Sequence, residues 1–244
     1  MPALAVKVMT LNQQIEQWLH DNKQNFRAIS RPFVTLSYAQ SLDGSIAIQP
    51  GEALALSSAE SKCLTHQLRS LHDGILVGIS TVLTDNPQLS VREWDGPSPQ
   101  PIVLDSHLRM PASAHLWQMS EKRCWVLTTV NQSSAAQGPE ILSVQSNAEG
   151  RVCLQAALQL LYQKGIRSLM VEGGANVITA FLKMRLADAL VLTVAPRLVG
   201  GYKAVSDLGM TQVQSLPTVA PLFTGKSGSD LIIWGNLHYG EQLS

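Results

Sequence analysis

The chain has 244 residues, of which 45% are hydrophobic and 15% are charged, a composition typical of a globular protein with ample material for a core. Lysine and arginine together number 18, as do aspartate and glutamate, so no excess of positive charge favours nucleic acid. No run approaches the roughly 18 consecutive apolar residues that a membrane-spanning helix requires. We therefore expect neither a nucleic-acid partner nor a membrane partner, and the composition favours a small-molecule ligand.

Cysteine usage and the N-terminal segment both bear on the compartment. Cys63, Cys124 and Cys153 are odd in number and far apart, which favours reduced, buried thiols over a disulfide or zinc framework. The segment MPALAVKVMTLNQQIEQW has one early lysine, a short apolar stretch and then glutamines, which matches neither a secretory nor a transit signal. We therefore expect a cytoplasmic protein.

The first predicted elements are a helix and a strand. Apolar residues recur at helical spacing over residues 10–25, with glutamine, glutamate and lysine between them. We assign residues 1–30 to an N-terminal helical extension and residues 31–244 to the main domain. After an Arg-Pro break, PFVTLSYA has the composition of a strand, and SIAIQ at 45–49 fits a short continuation of it.

A capping-box pattern, Ser57-x-x-Glu60, predicts the start of the next helix, which Asp73 and Gly74 end. The segment VCLQAALQLLYQKG is a further predicted helix, ended by its glycine. Apolar runs typical of buried strands are GILVGI at 74–79, PIVLD at 101–105, CWVLTT at 124–129, SLMVE at 168–172 and ALVLTVA at 189–195. This alternation predicts an α/β fold with a largely parallel sheet, and LIIWGNLHYG fits a closing antiparallel strand.

The segment LMVEGGANVITAFL, residues 169–182, joins a predicted strand to a predicted helix. Glu172, Gly173 and Gly174 form the turn between them. Glycines allow close approach of the backbone to a ligand, and the first amides of a helix favour anions. A close-packed corner without a ligand explains the glycines equally well, so both interpretations stay open on these residues alone.

Two arginines are candidate anion ligands. In GISTVLTDNPQLSVR, residues 78–92, Thr81 and Asp85 are four residues apart and fall on one side of a helical turn that Asn-Pro ends. Arg92 follows, and Arg69 borders the apolar stripe of the preceding helix. If the two guanidinium groups converge, they form a phosphate clamp. The alternative is that these polar residues satisfy loop backbone or are solvated.

Motifs of other catalytic classes are absent from the sequence. The six histidines have no metal-ligand spacing, and His66 and His72 fall on a helix that would solvate both, so we expect no metal site. There is no G-x-S-x-G nucleophile elbow, Walker loop or G-x-G-x-x-G dinucleotide fingerprint. If a nicotinamide cofactor binds, a Rossmann fingerprint does not bind it.

Four segments together carry a family resemblance: RPFVTLSYAQSLDG, LRSLHDGILVGISTVLTDNPQLSVR, PIVLDSHLRMP and LMVEGGANVITAFLKMRLADALVLTVAPRLVGG. In this order they resemble the reductase of riboflavin biosynthesis, a domain often fused behind a zinc-dependent deaminase. The resemblance implies a dihydrofolate-reductase-like, three-layer α/β fold. It also implies an NADPH-dependent enzyme that reduces the ribosyl group of a phosphoribosylamino-pyrimidine to a ribityl group.

The resemblance also implies roles for individual residues. At the substrate it places Arg69, Leu89, Arg92 and Glu172, and we take Glu172 as the candidate catalytic residue. At the cofactor it places Thr81, Asp85, Ser106, Gly173, Gly174, Ala175, Asn176 and Val177. On this interpretation the glycine turn lets NADPH phosphates reach the amides of the helix.

Three departures from the family pattern concern the substrate. Ser45 stands where the family usually has lysine or arginine, so a cation is expected to be missing there. Ala53 and Ala55 replace a serine and a bulky aromatic residue of many relatives. The chain also has no H-x-E with P-C-x-x-C, so we expect it not to perform the zinc-dependent deamination.

Two other functions stay open beside the riboflavin-pathway reductase. One is an NADPH-dependent dihydrofolate or pterin reductase on the same scaffold. The retained arginine pair argues against it, because a pterin has no phosphoribosyl group for the arginines to bind. The other is a non-catalytic NADP-binding protein. The family is commonly dimeric, so a homodimer is expected, and the helix at residues 10–25 packs either on its own domain or across the dimer.

Overall fold

The computed structural model describes residues 9–27, 30–119 and 122–240. Its helices are α1 (Leu11–Asn25), α2 (Ala59–Ser70), α3 (Ile79–Asp85), α4 (Leu154–Gln163) and α5 (Ala175–Lys183). Its strands are β1 (Phe33–Ser41), β2 (Ser45–Ala47), β3 (Gly74–Gly78), β4 (Gln100–Leu104), β5 (Trp125–Thr128), β6 (Glu140–Ser143), β7 (Ser168–Val171), β8 (Ala189–Ala195), β9 (Tyr202–Lys203), β10 (Thr218–Ser227) and β11 (Asp230–His238). No helix of these residues is long and apolar enough to cross a membrane.

Nine strands form one sheet in the order β10-β11-β8-β1-β7-β3-β4-β5-β6. The seven strands from β8 to β6 in that order run parallel, and β11 pairs antiparallel with β8 and with β10. The predicted α/β fold with a largely parallel sheet and an antiparallel C-terminal strand is thereby confirmed. β2 is not a continuation of β1 within this sheet, because it pairs with β9 in a separate two-stranded ribbon.

The core forms two layers, one on each face of the sheet, because successive residues of a strand point to opposite faces. On one face, Leu36, Leu76 and Val171 pack against α4 and α5. On the other face, β3 and β4 pack against α3, while β7, β8 and β11 pack against α1 and α2. The result is the expected three-layer arrangement of helices, sheet and helices.

Helix α1 packs on its own domain. Ile15 and Leu19 are fully buried against Ile232 and Trp234 of the sheet. Thr10 caps the helix through a capping box with Gln13. The apolar stripe of α1 is therefore covered mainly by the sheet of its own chain, which is one of the two arrangements expected for this helix.

The predicted cap of α2 is wrong by one residue. Ser58, not Ser57, is the N-cap, and its hydroxyl accepts a hydrogen bond from the Ser61 N–H. Asp230 fixes this register, since its carboxylate accepts a 2.8 Å hydrogen bond from the Ser58 N–H. Glu60 consequently lies too early in the helix to complete a capping box.

The three cysteines are unpaired, as predicted. Only Cys124 is fully buried, whereas Cys63 and Cys153 are half-buried, so the expectation of buried thiols is wrong for two of them. Burial raises the pKa of the Cys124 thiol to about 12.

Candidate active site

A cavity of about 780 Å³ opens at the carboxyl ends of β1, β3 and β7. Helix α2, helix α3 and the first turn of α5 bound it, and Ala47 and Tyr202 of the β2–β9 ribbon contribute to its wall. The carboxyl ends of parallel strands meet at one edge of a sheet, and α/β folds bind ligands there. This edge is therefore the candidate active site.

Ten of the twelve predicted site residues line this one cavity. They are Arg69, Thr81, Asp85, Arg92, Glu172, Gly173, Gly174, Ala175, Asn176 and Val177. Leu89 and Ser106 lie outside it. Leu89 is 2% exposed and lies in the core layer between α3 and the sheet, together with Val82. The Ser106 hydroxyl accepts a 3.0 Å hydrogen bond from the Val152 N–H.

Arg69 and Glu172 form a two-pronged ion pair across the cavity wall. Nε and Nη2 of Arg69 donate to the two carboxylate oxygens of Glu172 at 2.7 and 2.8 Å. The side chains are only 12% and 18% exposed. Burial by itself lowers the pKa of Arg69, but the adjacent Glu172 carboxylate raises it above its ordinary value. The pair fixes the position of Glu172 at the end of β7.

Ser90 brings the two arginines together. Its carbonyl accepts from Nη1 of Arg69 at 3.1 Å, and its hydroxyl accepts from Nη1 of Arg92 at 2.9 Å. The backbone N–H of Arg92 donates to Nδ1 of His66 at 2.9 Å. Both guanidinium groups therefore belong to one hydrogen-bonded wall. Among the described residues, Arg69 donates from three side-chain nitrogens and Arg92 from one, so Arg92 keeps more free donors.

The glycine turn before α5 has two distinct roles. A Cβ on Gly173 would lie 2.7 Å from Cβ of Val177, so this glycine is required for packing of the corner. A Cβ on Gly174 would meet only Thr81 Oγ1, at 3.8 Å. Gly174 is the N-cap of α5 and provides no side-chain cap. The first amides of α5 thus lack a side-chain acceptor, and open cavity lies before them.

Thr81 and Asp85 lie one turn apart on α3, and both face the cavity, as their spacing predicts. The helix ends at Asn86, which takes a left-handed conformation with φ of 43°. The chain can therefore turn back, and the following loop carries Arg92 to the cavity wall beside α2, with Ser90 hydrogen-bonded to it from behind the wall. Residues of α3 and of this loop thus line two neighbouring parts of the same cavity.

The surroundings of Ser45 differ from the expectation of a missing cation. Nζ of Lys203 on β9 lies 3.0 Å from the Ser45 hydroxyl and 2.6 Å from Oδ2 of Asp43. Lys203 and Ser41 are the main hydrogen-bond donors that keep the pKa of Asp43 well below its usual range, and the Val199 N–H adds to them. A lysine from another strand thus places positive charge beside position 45.

Sequence reasoning missed many residues of the cavity wall, among them Tyr38, His66 and Tyr202. Burial raises the pKa of the Tyr38 phenol to about 12, so this hydroxyl stays protonated as a possible donor. Ala53 and Ala55 also line the cavity, where they leave space that larger side chains would fill. The segment TLSYAQS predicts that Tyr38 lies on a strand. It does not predict which face of the sheet Tyr38 occupies, because that depends on how β1 pairs with its neighbours.

The prediction that His66 and His72 are solvated on one helix is wrong, since each is 5% exposed and His72 lies two residues beyond the end of α2. Nδ1 of His72 contacts the Leu68 carbonyl at 2.7 Å, and its Nε2 lies 2.9 Å from the Thr35 hydroxyl. Burial and the nearby Lys23 charge lower the pKa of His72 to about 3. His72 is a neutral core residue, whereas His66 belongs to the cavity.

Known proteins are similar to this chain in sequence. A sequence model described as the RibD C-terminal domain matches residues 32–232. The 2,5-diamino-6-ribosylamino-4(3H)-pyrimidinone 5′-phosphate reductase of Debaryomyces hansenii is 38% identical over 196 residues, which cover 70% of this chain and 77% of that protein. The protein of the same name from Archaeoglobus fulgidus is 33% identical over 182 residues, with 70% and 83% covered.

A solved structure is also similar. The riboflavin biosynthesis reductase of Saccharomyces cerevisiae matches with a TM-score of 0.74 and 29% identity, covering 92% of this chain and 100% of that one. This similarity confirms the fold that the family resemblance implied.

Proposed function

Because this chain belongs to the RibD C-terminal domain family, we propose that it is an NADPH-dependent reductase of riboflavin biosynthesis. Its substrate is a 5-phosphoribosylamino-pyrimidine, either the 5-amino-6-(5-phosphoribosylamino)uracil or the undeaminated 2,5-diamino form, and the ribosyl group becomes ribityl. The observation that carries the proposal is one cavity in which two arginines and a glutamate lie beside an open, glycine-led helix start. The retained arginine pair favours this substrate class over a pterin.

The residues around α5 fit a dinucleotide. Gly174 leaves room for close approach, and the first α5 amides, from Ala175 and Asn176, are suited to a phosphate group. Thr81 and Asp85 border the same space and supply polar contacts. NADPH, when bound, supplies the hydride that reduces the sugar carbon. The chain itself binds the two reactants in one cavity and orients them against each other.

The substrate occupies the side of the cavity near α2. Arg92, whose donors are less engaged, contacts the phosphate group. Arg69 acts on the substrate mainly through Glu172, because three of its N–H groups already donate to Glu172 and to Ser90. Glu172 is the candidate catalytic residue, and its fixed carboxylate orients the reacting ribosyl group.

The proposed function is tested by following NADPH oxidation with the deaminated pyrimidine, the undeaminated pyrimidine and dihydrofolate in turn. We expect turnover with a pyrimidine, and faster turnover with NADPH than with NADH. Arg92→Ala is expected to lower kcat/KM about 10-fold or more, since a charge-assisted hydrogen bond contributes about 1.5–3 kcal/mol. Turnover of dihydrofolate alone would move the protein to the pterin class, and NADPH binding without any turnover would indicate a non-catalytic protein.

A homodimer completes the proposal, and β10 is the surface that supports it. This strand is at one end of the sheet order and pairs on one side only, with β11, among the described residues. Strands β10 and β11 form an antiparallel hairpin. Its exposed apolar side chains are Leu222, Phe223 and Leu231, which are 57%, 39% and 38% exposed. An apolar edge strand is a ready partner for a second copy of itself.

A further inference from the structure

His66 is a buried imidazole in the cavity wall that the proposed chemistry has not yet used. It lies on α2, one turn before Arg69, and lines the cavity together with Arg92 and Glu172. It is 5% exposed, so its ring is enclosed on most sides by protein. A buried polar ring at such a position needs partners for both of its nitrogens.

One partner is supplied by the protein and fixes the tautomer. The Arg92 N–H donates to Nδ1 of His66 at 2.9 Å, so Nδ1 is an acceptor. In a neutral imidazole the proton is then on Nε2. Burial and the charges of Arg69 and Arg92 lower the pKa of His66, which favours the neutral ring.

The second nitrogen opens to the cavity. Nε2 has no hydrogen-bond partner among the described residues. It is also not one of the fully buried polar atoms that lack a partner, so it is accessible from the cavity. Its N–H is therefore a fixed, uncharged donor that reaches the same space as the Arg92 guanidinium. An oxygen-rich group is the acceptor that such a donor matches.

We propose that His66 is a further substrate-binding residue whose Nε2–H donates a hydrogen bond to an oxygen of the phosphoribosyl arm. This inference rests on the proposed reductase function. The neutral donor adds a directional contact near the charges of Arg69 and Arg92. The contact of Nδ1 with the Arg92 backbone couples the orientation of the ring to the loop that carries the phosphate ligand.

Two amide substitutions separate the two nitrogens. His66→Asn places an amide oxygen near Nδ1, so it can keep the Arg92 contact but has no donor at Nε2. His66→Gln reaches further and can place an amide N–H where Nε2–H was. We expect kcat/KM of His66→Gln within about threefold of wild type, and a loss of about five- to tenfold in His66→Asn, mainly through a higher KM.

Thermal unfolding and NADPH binding of both variants control for folding and for cofactor affinity, and both are expected to match wild type. Wild-type kcat/KM in His66→Asn, or equal losses in the two variants, would overturn the role of Nε2–H and leave His66 as a support for Arg92. If the wild-type enzyme turns over no pyrimidine, the proposed function itself fails, and this inference fails with it. Normal wild-type turnover distinguishes the two failures.

Discussion

Arg69 and Glu172 illustrate how a site residue depends on its partner. Removing one charge leaves the other poorly solvated, because both side chains are more than four-fifths buried. We expect Glu172→Gln to lower the free energy of unfolding by about 1–3 kcal/mol. In a double-mutant cycle with Arg69→Gln, measured by urea unfolding, the coupling energy should be at least about 1 kcal/mol.

Arg151 and Glu149 provide the matched control. Their side chains are 65% and 72% exposed, and the charged atoms are 3.8 Å apart. The same cycle on this pair should give a coupling of about 0–0.5 kcal/mol. Additive effects at Arg69 and Glu172, with no more coupling than in the control, would show that the buried pair is not energetically linked.

His72 predicts how stability depends on pH. Its folded-state pKa is lowered from 6.5 to about 3, so between these values the unfolded chain binds a proton that the folded chain does not. The contribution of His72 to the free energy of unfolding is therefore fully present above pH 6.5 and is lost as the pH falls. Between pH 7 and pH 5 the loss should be about 2 kcal/mol.

Urea unfolding of wild type and His72→Asn at both pH values measures this term. The variant, which has no titrating ring at this position, should lose about 2 kcal/mol less than wild type over that interval, whatever its absolute stability. The same pH dependence in His72→Asn as in wild type would contradict a neutral, buried His72.

At the scale of elements, the corner between β7 and α5 separates packing from binding. Gly173→Ala introduces a Cβ 2.7 Å from Val177, so we expect a loss of about 1–3 kcal/mol in unfolding free energy. Gly174→Ala meets nothing closer than 3.8 Å and should change stability by less than about 1 kcal/mol. Its methyl group enters the space before α5, so it should weaken NADPH binding instead.

Thermal unfolding and NADPH titration of the two variants test this division. Gly173→Ala should have the lower midpoint, and Gly174→Ala should keep its midpoint and have the higher Kd. Equal effects of both substitutions on both measurements would mean that the turn does not separate these roles.

How far the sequence predicted the elements depended on burial. The strands β3, β4, β5, β7 and β8 were predicted because burial on both faces leaves an uninterrupted apolar run. β10 was not predicted, because most of its residues are exposed and, among the described residues, only one strand pairs with it. β2 and β9 are too short for a periodic pattern, so their pairing depends on contacts that sequence spacing does not encode.

The sequence predicted only part of the site, because several of its contacts join residues that are far apart in the chain. Twelve candidate residues were named from the ordered motifs of the family resemblance, and the structure places ten of them in one cavity. The Arg69–Glu172 pair was not predictable as a contact, because the two residues are 103 positions apart in the chain. The charge of Lys203 beside Ser45 is likewise a tertiary contact, across 158 positions. The role of His66 depends on a backbone N–H of a loop, which leaves no mark in the sequence.

At the scale of the whole molecule, the exposed hairpin predicts the assembly. Light scattering after size exclusion should give a dimer for wild type, and Leu222→Lys should weaken it, because a charge on an edge strand opposes strand pairing. Leu198→Lys, at a position 78% exposed on the loop after β8, is the control and should stay dimeric. A dimeric Leu222→Lys protein would assign the interface to another surface.

The central claim, reduction of a phosphoribosylamino-pyrimidine in this cavity, is tested most directly by isotope transfer. The protein is incubated with the pyrimidine and with NADPH deuterated at either face of the nicotinamide C4, and the product is analysed by mass spectrometry. We predict that one of the two cofactors transfers deuterium to the sugar carbon of a ribityl product, and that Arg92→Ala lowers the rate. A product without deuterium from either cofactor, or no ribityl product while NADPH binds, would contradict the account.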